Sequence, residues 1–122
     1  MKRILICLFA TLSTIAHAES LEAIKAKNFS DQLQAYNLKN TENQELLVKY
    51  SKKENASESE TEMYFMTICN SVYNLERAEK LIIDNPQYAV YLDGNVLPSI
   101  QDNLDFARRL ERVLMGTQNQ CR

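Results

Sequence analysis

The 122-residue sequence has only two glycines and two prolines, no tryptophan and a single histidine. Glycine and proline supply most tight turns, and β-sandwiches and barrels need many of them. Their scarcity therefore argues against an all-β fold and favours long helices. Apolar residues still make up 45% of the chain, so a packed core is expected and intrinsic disorder is not.

The first 18 residues have the pattern of an export signal. Lys2 and Arg3 precede an apolar run over residues 4–15, and the small residues of Ala16-His17-Ala18 follow. This order predicts a signal peptide cut after Ala18. The run is shorter than the roughly 20 residues that span a bilayer, so a membrane-spanning helix is not expected. The alternative to a signal peptide is a buried N-terminal helix. We therefore expect residues 1–18 to be a signal peptide, residues 19–122 to be one helical domain without a membrane span, and the destination to be the bacterial periplasm.

Cleavage would remove the histidine and leave twelve basic against sixteen acidic residues, a net charge of about −4. Without histidine, Ser-His-Asp and Cys-His catalytic systems and the usual zinc sites are excluded. There is no glycine-rich phosphate loop and no calcium-loop spacing, and the negative charge disfavours nucleic-acid binding. We expect no cofactor, no metal and no nucleic acid.

Two cysteines, Cys69 and Cys121, remain after the predicted cleavage. An even number in an exported chain predicts a disulfide. The alternative is a redox pair, but catalytic thiols usually lie in Cys-x-x-Cys or beside a cation. We predict a structural Cys69–Cys121 bond.

The longest stretch with helical spacing is residues 60–84, where the apolar side chains recur at intervals of three and four. We predict that it is the central helix, begun by a capping box of Ser57 with Glu60 or of Ser59 with Glu62. Glu76 and Glu79 interrupt its apolar side. They are either a carboxylate pair in a cleft or solvated residues paired with neighbours on the same helix, Arg77 or Lys80.

Shorter helices are predicted on both sides of this one. Thr41 fits a helix cap, with Gln44 three residues later, and Pro98 or Ser99 fits the start of a last helix ended by Gly116. The predicted flanking helices cover residues 29–38, 42–52, 86–92 and 98–115, preceded by a short, frayed helical segment at residues 20–28. The fold class is therefore all-α: a small bundle of four to five helices with one disulfide.

Two of the six tyrosines, Tyr88 and Tyr91, lie on a short segment between Pro86 and Gly94, with Asp84 and Asp93 beside them. Tyrosine is favoured in interfaces because it joins an apolar ring to a hydrogen-bonding hydroxyl. We predict that these four residues bind a partner. The alternative is that both tyrosines pack into the core.

These patterns predict an exported factor that binds a protein of the cell envelope without catalysing a reaction. An inhibitor or immunity protein for an envelope-acting enzyme or toxin is the most concrete form. The first alternative is a periplasmic chaperone or assembly factor, and the second is a small carboxylate-dependent, wall-acting enzyme. Homodimer formation is compatible with each of them.

Overall fold

The computed structural model describes residues 20–122, and within that range every regular element is a helix. The all-α prediction is therefore confirmed, with three substantial helices and one short one. The predicted signal peptide, residues 1–18, lies outside the described residues. The helices are α1 (Leu21–Ser51), α2 (Glu58–Asp84), α3 (Pro86–Ala89) and α4 (Val96–Leu114).

The predicted central helix is α2, which packs against α1 on one side and α4 on another and also contacts α3. Its 27 residues give it a length of about 40 Å. Both neighbours run antiparallel to it. On α1, Tyr36 contacts α2 at Asn74 and Leu47 packs with the earlier Ile68. On α4, Leu104 packs near Leu75 and Leu114 packs with Ile68. No helix within residues 20–122 is both long enough and apolar enough to cross a membrane.

The start of α2 is fixed by the first of the two predicted capping boxes. The Glu60 backbone N–H donates to Ser57 Oγ at 3.2 Å, and the Ser57 backbone N–H donates to Glu60 Oε2 at 3.0 Å. Lys53 also bonds the Glu60 carboxylate. These bonds, that of Lys53 first, lower the pKa of Glu60 below its ordinary value.

The division of the N-terminal half into three helices was wrong, because α1 is continuous over 31 residues. Thr41 does not cap a helix; its Oγ1 donates to the Asn37 backbone oxygen at 3.1 Å, one turn back. Residues that face inward recur every three or four positions along the whole helix, and packing on α2 keeps it unbroken. These inward residues are Phe29, Leu33, Tyr36, Asn40, Asn43, Leu47 and Tyr50.

Two apolar clusters hold the helices together. One joins Val72 and Leu75 of α2 to Leu104 and Ala107 of α4, and Leu104 is the most deeply buried of them. The other brings α1, α2 and α4 together. Its buried members are Leu47, Ile68 and Leu114.

The interface between α1 and α2 also contains a polar layer. Asn74 Nδ2 donates to the Tyr36 backbone oxygen at 2.9 Å, and Thr67 Oγ1 donates to the Met63 backbone oxygen at 2.6 Å. Asn43 Nδ2 and Ser71 Oγ are buried and have no hydrogen-bond partner within residues 20–122. A buried amide left unpaired lowers stability, so this layer weakens the hairpin that α1 and α2 form.

The last helix begins at Val96, two residues before the earliest predicted start. Pro98 lies in its first turn, where a backbone N–H has no partner within the helix and proline is tolerated. The helix ends before Gly116, which has a φ of 76°. Glycine is the residue that adopts this conformation at a helix end without steric cost.

Candidate functional site

The predicted binding residues lie at or near the connection between α2 and α4, residues 85–95. Helix α3 covers only the first part, and turns follow it. The Tyr91 backbone N–H donates to the Tyr88 backbone oxygen at 3.2 Å, and the Leu92 backbone N–H donates to the Ala89 backbone oxygen at 3.0 Å. These bonds make the connection compact rather than extended.

Tyr88 is packed against the start of α1. Its hydroxyl donates to Glu22 Oε2 at 2.9 Å, and its ring lies 5.6 Å from that of Phe29, measured between centroids. Loss of solvent, and then the bond to Glu22, raise the pKa of Tyr88. The same bond, with the charge of Lys25, lowers the pKa of Glu22. Tyr88 therefore anchors the connection to α1.

Tyr91 points away from the protein and is 75% exposed, and its neighbour Val90 is 74% exposed. Together they form an apolar projection, which we call the Val90–Tyr91 tip. Because α3 ends at Ala89, Tyr88 and Tyr91 do not share a helical face. The predicted tyrosine pair is thus divided into one inward anchor and one outward side chain.

The two predicted aspartates are exposed and each has a partner within the chain. Asp84 Oδ2 accepts from Lys80 at 2.7 Å. Asp93 Oδ1 accepts from the Asn95 backbone N–H at 3.0 Å, which stabilises the turn before α4. Because both side chains are exposed, both carboxylates are accessible to another molecule.

A cavity of about 560 Å³ lies between α3 and the start of α1, beside the Tyr88 anchor. Phe29 and Leu81 supply apolar surface, and the remainder of the lining is mainly polar. Its lining residues are Glu22, Lys25, Asn28, Phe29, Gln32, Leu81, Asn85, Gln87 and Tyr88.

Glu76 and Glu79, which were considered as a carboxylate pair in a cleft, both lie on α2. Glu76 pairs with Arg108 of α4 at 3.1 Å, so the predicted pairing with Arg77 or Lys80 was wrong for this residue. Arg77 instead lies over the Tyr73 ring, 4.4 Å from its centroid. Glu76 and Glu79 line neither the cavity beside Tyr88 nor a smaller one beside the disulfide.

The disulfide between Cys69 and Cys121 is present, with 5.4 Å between the two Cα atoms. Cys69 belongs to α2, and Cys121 lies in the segment that follows α4. Both pack against the cluster that joins the three long helices. The smaller cavity, of about 340 Å³, adjoins the bond. Among residues 20–122, no group of three or more histidine, cysteine, aspartate or glutamate side chains is arranged to hold a metal.

Val90 was not among the predicted binding residues. Its only sequence signal is its position next to Tyr91 in a short connection, and a valine there is equally consistent with core packing.

Comparison of the chain with protein-family models, with curated proteins and with solved structures gives no match.

Proposed function

We propose that this protein is an exported binding factor, most specifically an inhibitor or immunity protein for an enzyme or toxin that acts in the cell envelope. The observation that carries the proposal is the Val90–Tyr91 tip. Both side chains are about three-quarters exposed, yet they lie on a connection held by backbone hydrogen bonds and by Tyr88.

A pre-ordered aromatic side chain is an efficient binding element. Tyrosine buries a large surface on association, and an ordered backbone reduces the entropy lost on binding. The bond from Tyr88 to Glu22 supplies that order. The tip is thus suited to enter an apolar pocket of a partner, where buried tyrosines contribute strongly to affinity.

Charge indicates what surrounds that pocket. Asp84 and Asp93 lie close to the tip along the chain, and the predicted exported form has a net charge of about −4. Complementary potentials accelerate association and favour the correct partner. The partner would therefore present basic side chains around an apolar pocket.

Export is supported by the predicted signal peptide and by the Cys69–Cys121 disulfide. Disulfides persist in oxidising compartments such as the periplasm and are rare in the cytosol. The predicted site of action is therefore the cell envelope.

The test is affinity capture from periplasmic extract with three forms of the protein: wild type, Tyr91→Ala and Tyr73→Ala. Tyr73 is a matched control because it is 57% exposed and lies on α2. We expect wild type and Tyr73→Ala to retain one stoichiometric partner and Tyr91→Ala to lose it, with equal melting temperatures. Equal capture by all three, or no stoichiometric partner, would contradict the proposal.

A chaperone or assembly factor is the second candidate, because other large apolar side chains are exposed elsewhere on the three long helices. Leu38, Met66 and Val113 are 59%, 58% and 77% exposed. A chaperone would suppress aggregation of several unfolded proteins, and Tyr91→Ala would not change that activity. A light-scattering assay with a reduced, aggregating client separates the two candidates.

A further inference from the structure

Helix α4 has an outward side that the rest of residues 20–122 leaves uncovered. Phe106 and Val113 are 54% and 77% exposed, and because they lie seven residues apart they project from the same side of the helix. Four charged residues share that side. We call these six residues the outer face of α4: Asp102, Asp105, Phe106, Arg109, Arg112 and Val113.

The charges on the outer face are segregated along the helix. Asp102 and Asp105 occupy its first half, and Arg109 and Arg112 its second. None of the four forms an ion pair within residues 20–122. Arg109 Nε donates instead to the Asp105 backbone oxygen at 3.3 Å.

The helix dipole favours acids near the start of a helix and bases near its end. It accounts for the order of the charges but not for an exposed phenylalanine and valine between and after them. Both features are explained together if the face contacts another surface with the opposite order of charge. The same face on a second copy, turned end to end, has that order.

We propose that two copies of the chain associate through the outer faces of α4, antiparallel and related by a two-fold axis. Asp102 lies five residues before position 107 and Arg112 five residues after it. Asp105 lies two residues before that position and Arg109 two residues after it. Antiparallel pairing centred at this level therefore places each aspartate opposite an arginine of the other copy. The two Phe106 rings meet near the axis, as a self-complementary interface requires.

A contact centred on one helix is at the small end of specific interfaces, so we expect a dissociation constant in the range of about 1–100 μM.

The test is a charge exchange, followed by sedimentation equilibrium on protein purified from the periplasm. One variant carries Asp102→Arg with Asp105→Arg, and the other carries Arg109→Asp with Arg112→Asp. Each variant alone places like charges opposite each other, so its dimer should weaken by about tenfold or more. An equimolar mixture places opposite charges at all four contacts and should recover the association of wild type.

Two further measurements make the result specific. Phe106→Ala should weaken the wild-type dimer, whereas Tyr91→Ala should leave it unchanged because Tyr91 is outside the outer face of α4. Circular dichroism melting checks that each variant is folded. The proposal is overturned if wild type stays monomeric up to about 1 mM, if either charge variant alone dimerises as wild type does, or if the mixture does not associate. These outcomes do not depend on whether the Val90–Tyr91 tip binds an envelope protein.

Discussion

Replacing Cys121 by serine removes the Cys69–Cys121 disulfide and should greatly destabilise the fold. The two cysteines are 52 positions apart. In the chain-entropy model, a crosslink closing a loop of that size reduces the entropy of the unfolded chain enough to contribute about 4 kcal/mol. A domain of this size has a total stability of only about 5–15 kcal/mol, so the loss is a large fraction of the total.

The expected change in melting temperature follows from the unfolding entropy. For about 100 residues, 1 kcal/mol corresponds to a shift of roughly 4–8 °C, so Cys121→Ser should melt about 20 °C below wild type. Thermal unfolding followed by circular dichroism measures this directly. Reduced wild type should melt close to the variant, and a reductant should have no effect on the variant.

Gln118→Ser is a suitable control, because Gln118 is an exposed residue of the same terminal segment. It should melt within about 2 °C of wild type. If Cys121→Ser lowered the melting temperature by less than about 5 °C, the loop-closure reasoning would be refuted. Closing the loop would then not be the main factor that reduces the conformational entropy of the unfolded chain.

Five further substitutions test other parts of the structure. Ser57→Ala removes the side-chain half of the α2 capping box and should cost about 1 kcal/mol in urea unfolding; no change would mean that the box is not formed in solution. Because the pKa of Glu60 lies below its ordinary value of 4.5, its stabilising effect is complete above that value and is lost as pH falls through the folded-state pKa. Glu60→Gln should therefore show a smaller loss of melting temperature between about pH 6 and pH 3 than wild type does. Leu104→Ala should cost about 2–5 kcal/mol whereas Phe106→Ala, at an exposed site, should cost less than about 1 kcal/mol; similar costs would contradict the assigned core. Asn43→Leu replaces a buried side chain whose Nδ2 has no hydrogen-bond partner within residues 20–122 with an apolar one of similar size, and should stabilise the protein by about 1 kcal/mol; a lower unfolding free energy would show that the amide has a partner.

The sequence was most informative about α2 because local signals define both of its ends. The capping box at Ser57 and Glu60 sets its start, and Pro86, which disfavours helical geometry in the residue before it, sets its end. The disulfide was predictable for a similar reason: only two cysteines remain after the predicted cleavage, and they have one possible pairing.

The division of α1 had a physical cause. Asparagine, serine and threonine compete with helical hydrogen bonds through their side chains, so they usually mark helix ends. In α1, however, Asn40 and Asn43 face inward on the side that packs against α2. The contact with α2 keeps α1 continuous, and the sequence around residue 40 does not reveal that contact.

The same limit applied to the tyrosines. Tyr88 is fixed by Phe29 and Glu22, which lie about sixty residues earlier in the chain. Tyr91 has no such contact within the part of the chain that the structure describes and is 75% exposed. Local composition identified the segment, but only the position of α1 determines which tyrosine is the anchor and which projects.

The arrangement along α2 separates the covalent link from the candidate binding site. Cys69 lies in the first half of α2, whereas the connection that carries Tyr91 follows its last residue, Asp84. Two helices reach from the disulfide to the candidate site: α2 itself, which leads into the connection, and α1, which extends from the cluster beside the disulfide to the Tyr88 anchor. Loss of the disulfide would therefore reach Tyr91 only through unfolding of the helices, because no direct contact joins the two sites within residues 20–122. Binding through Tyr91 should accordingly survive reduction at temperatures below the melting point of the reduced protein and disappear above it.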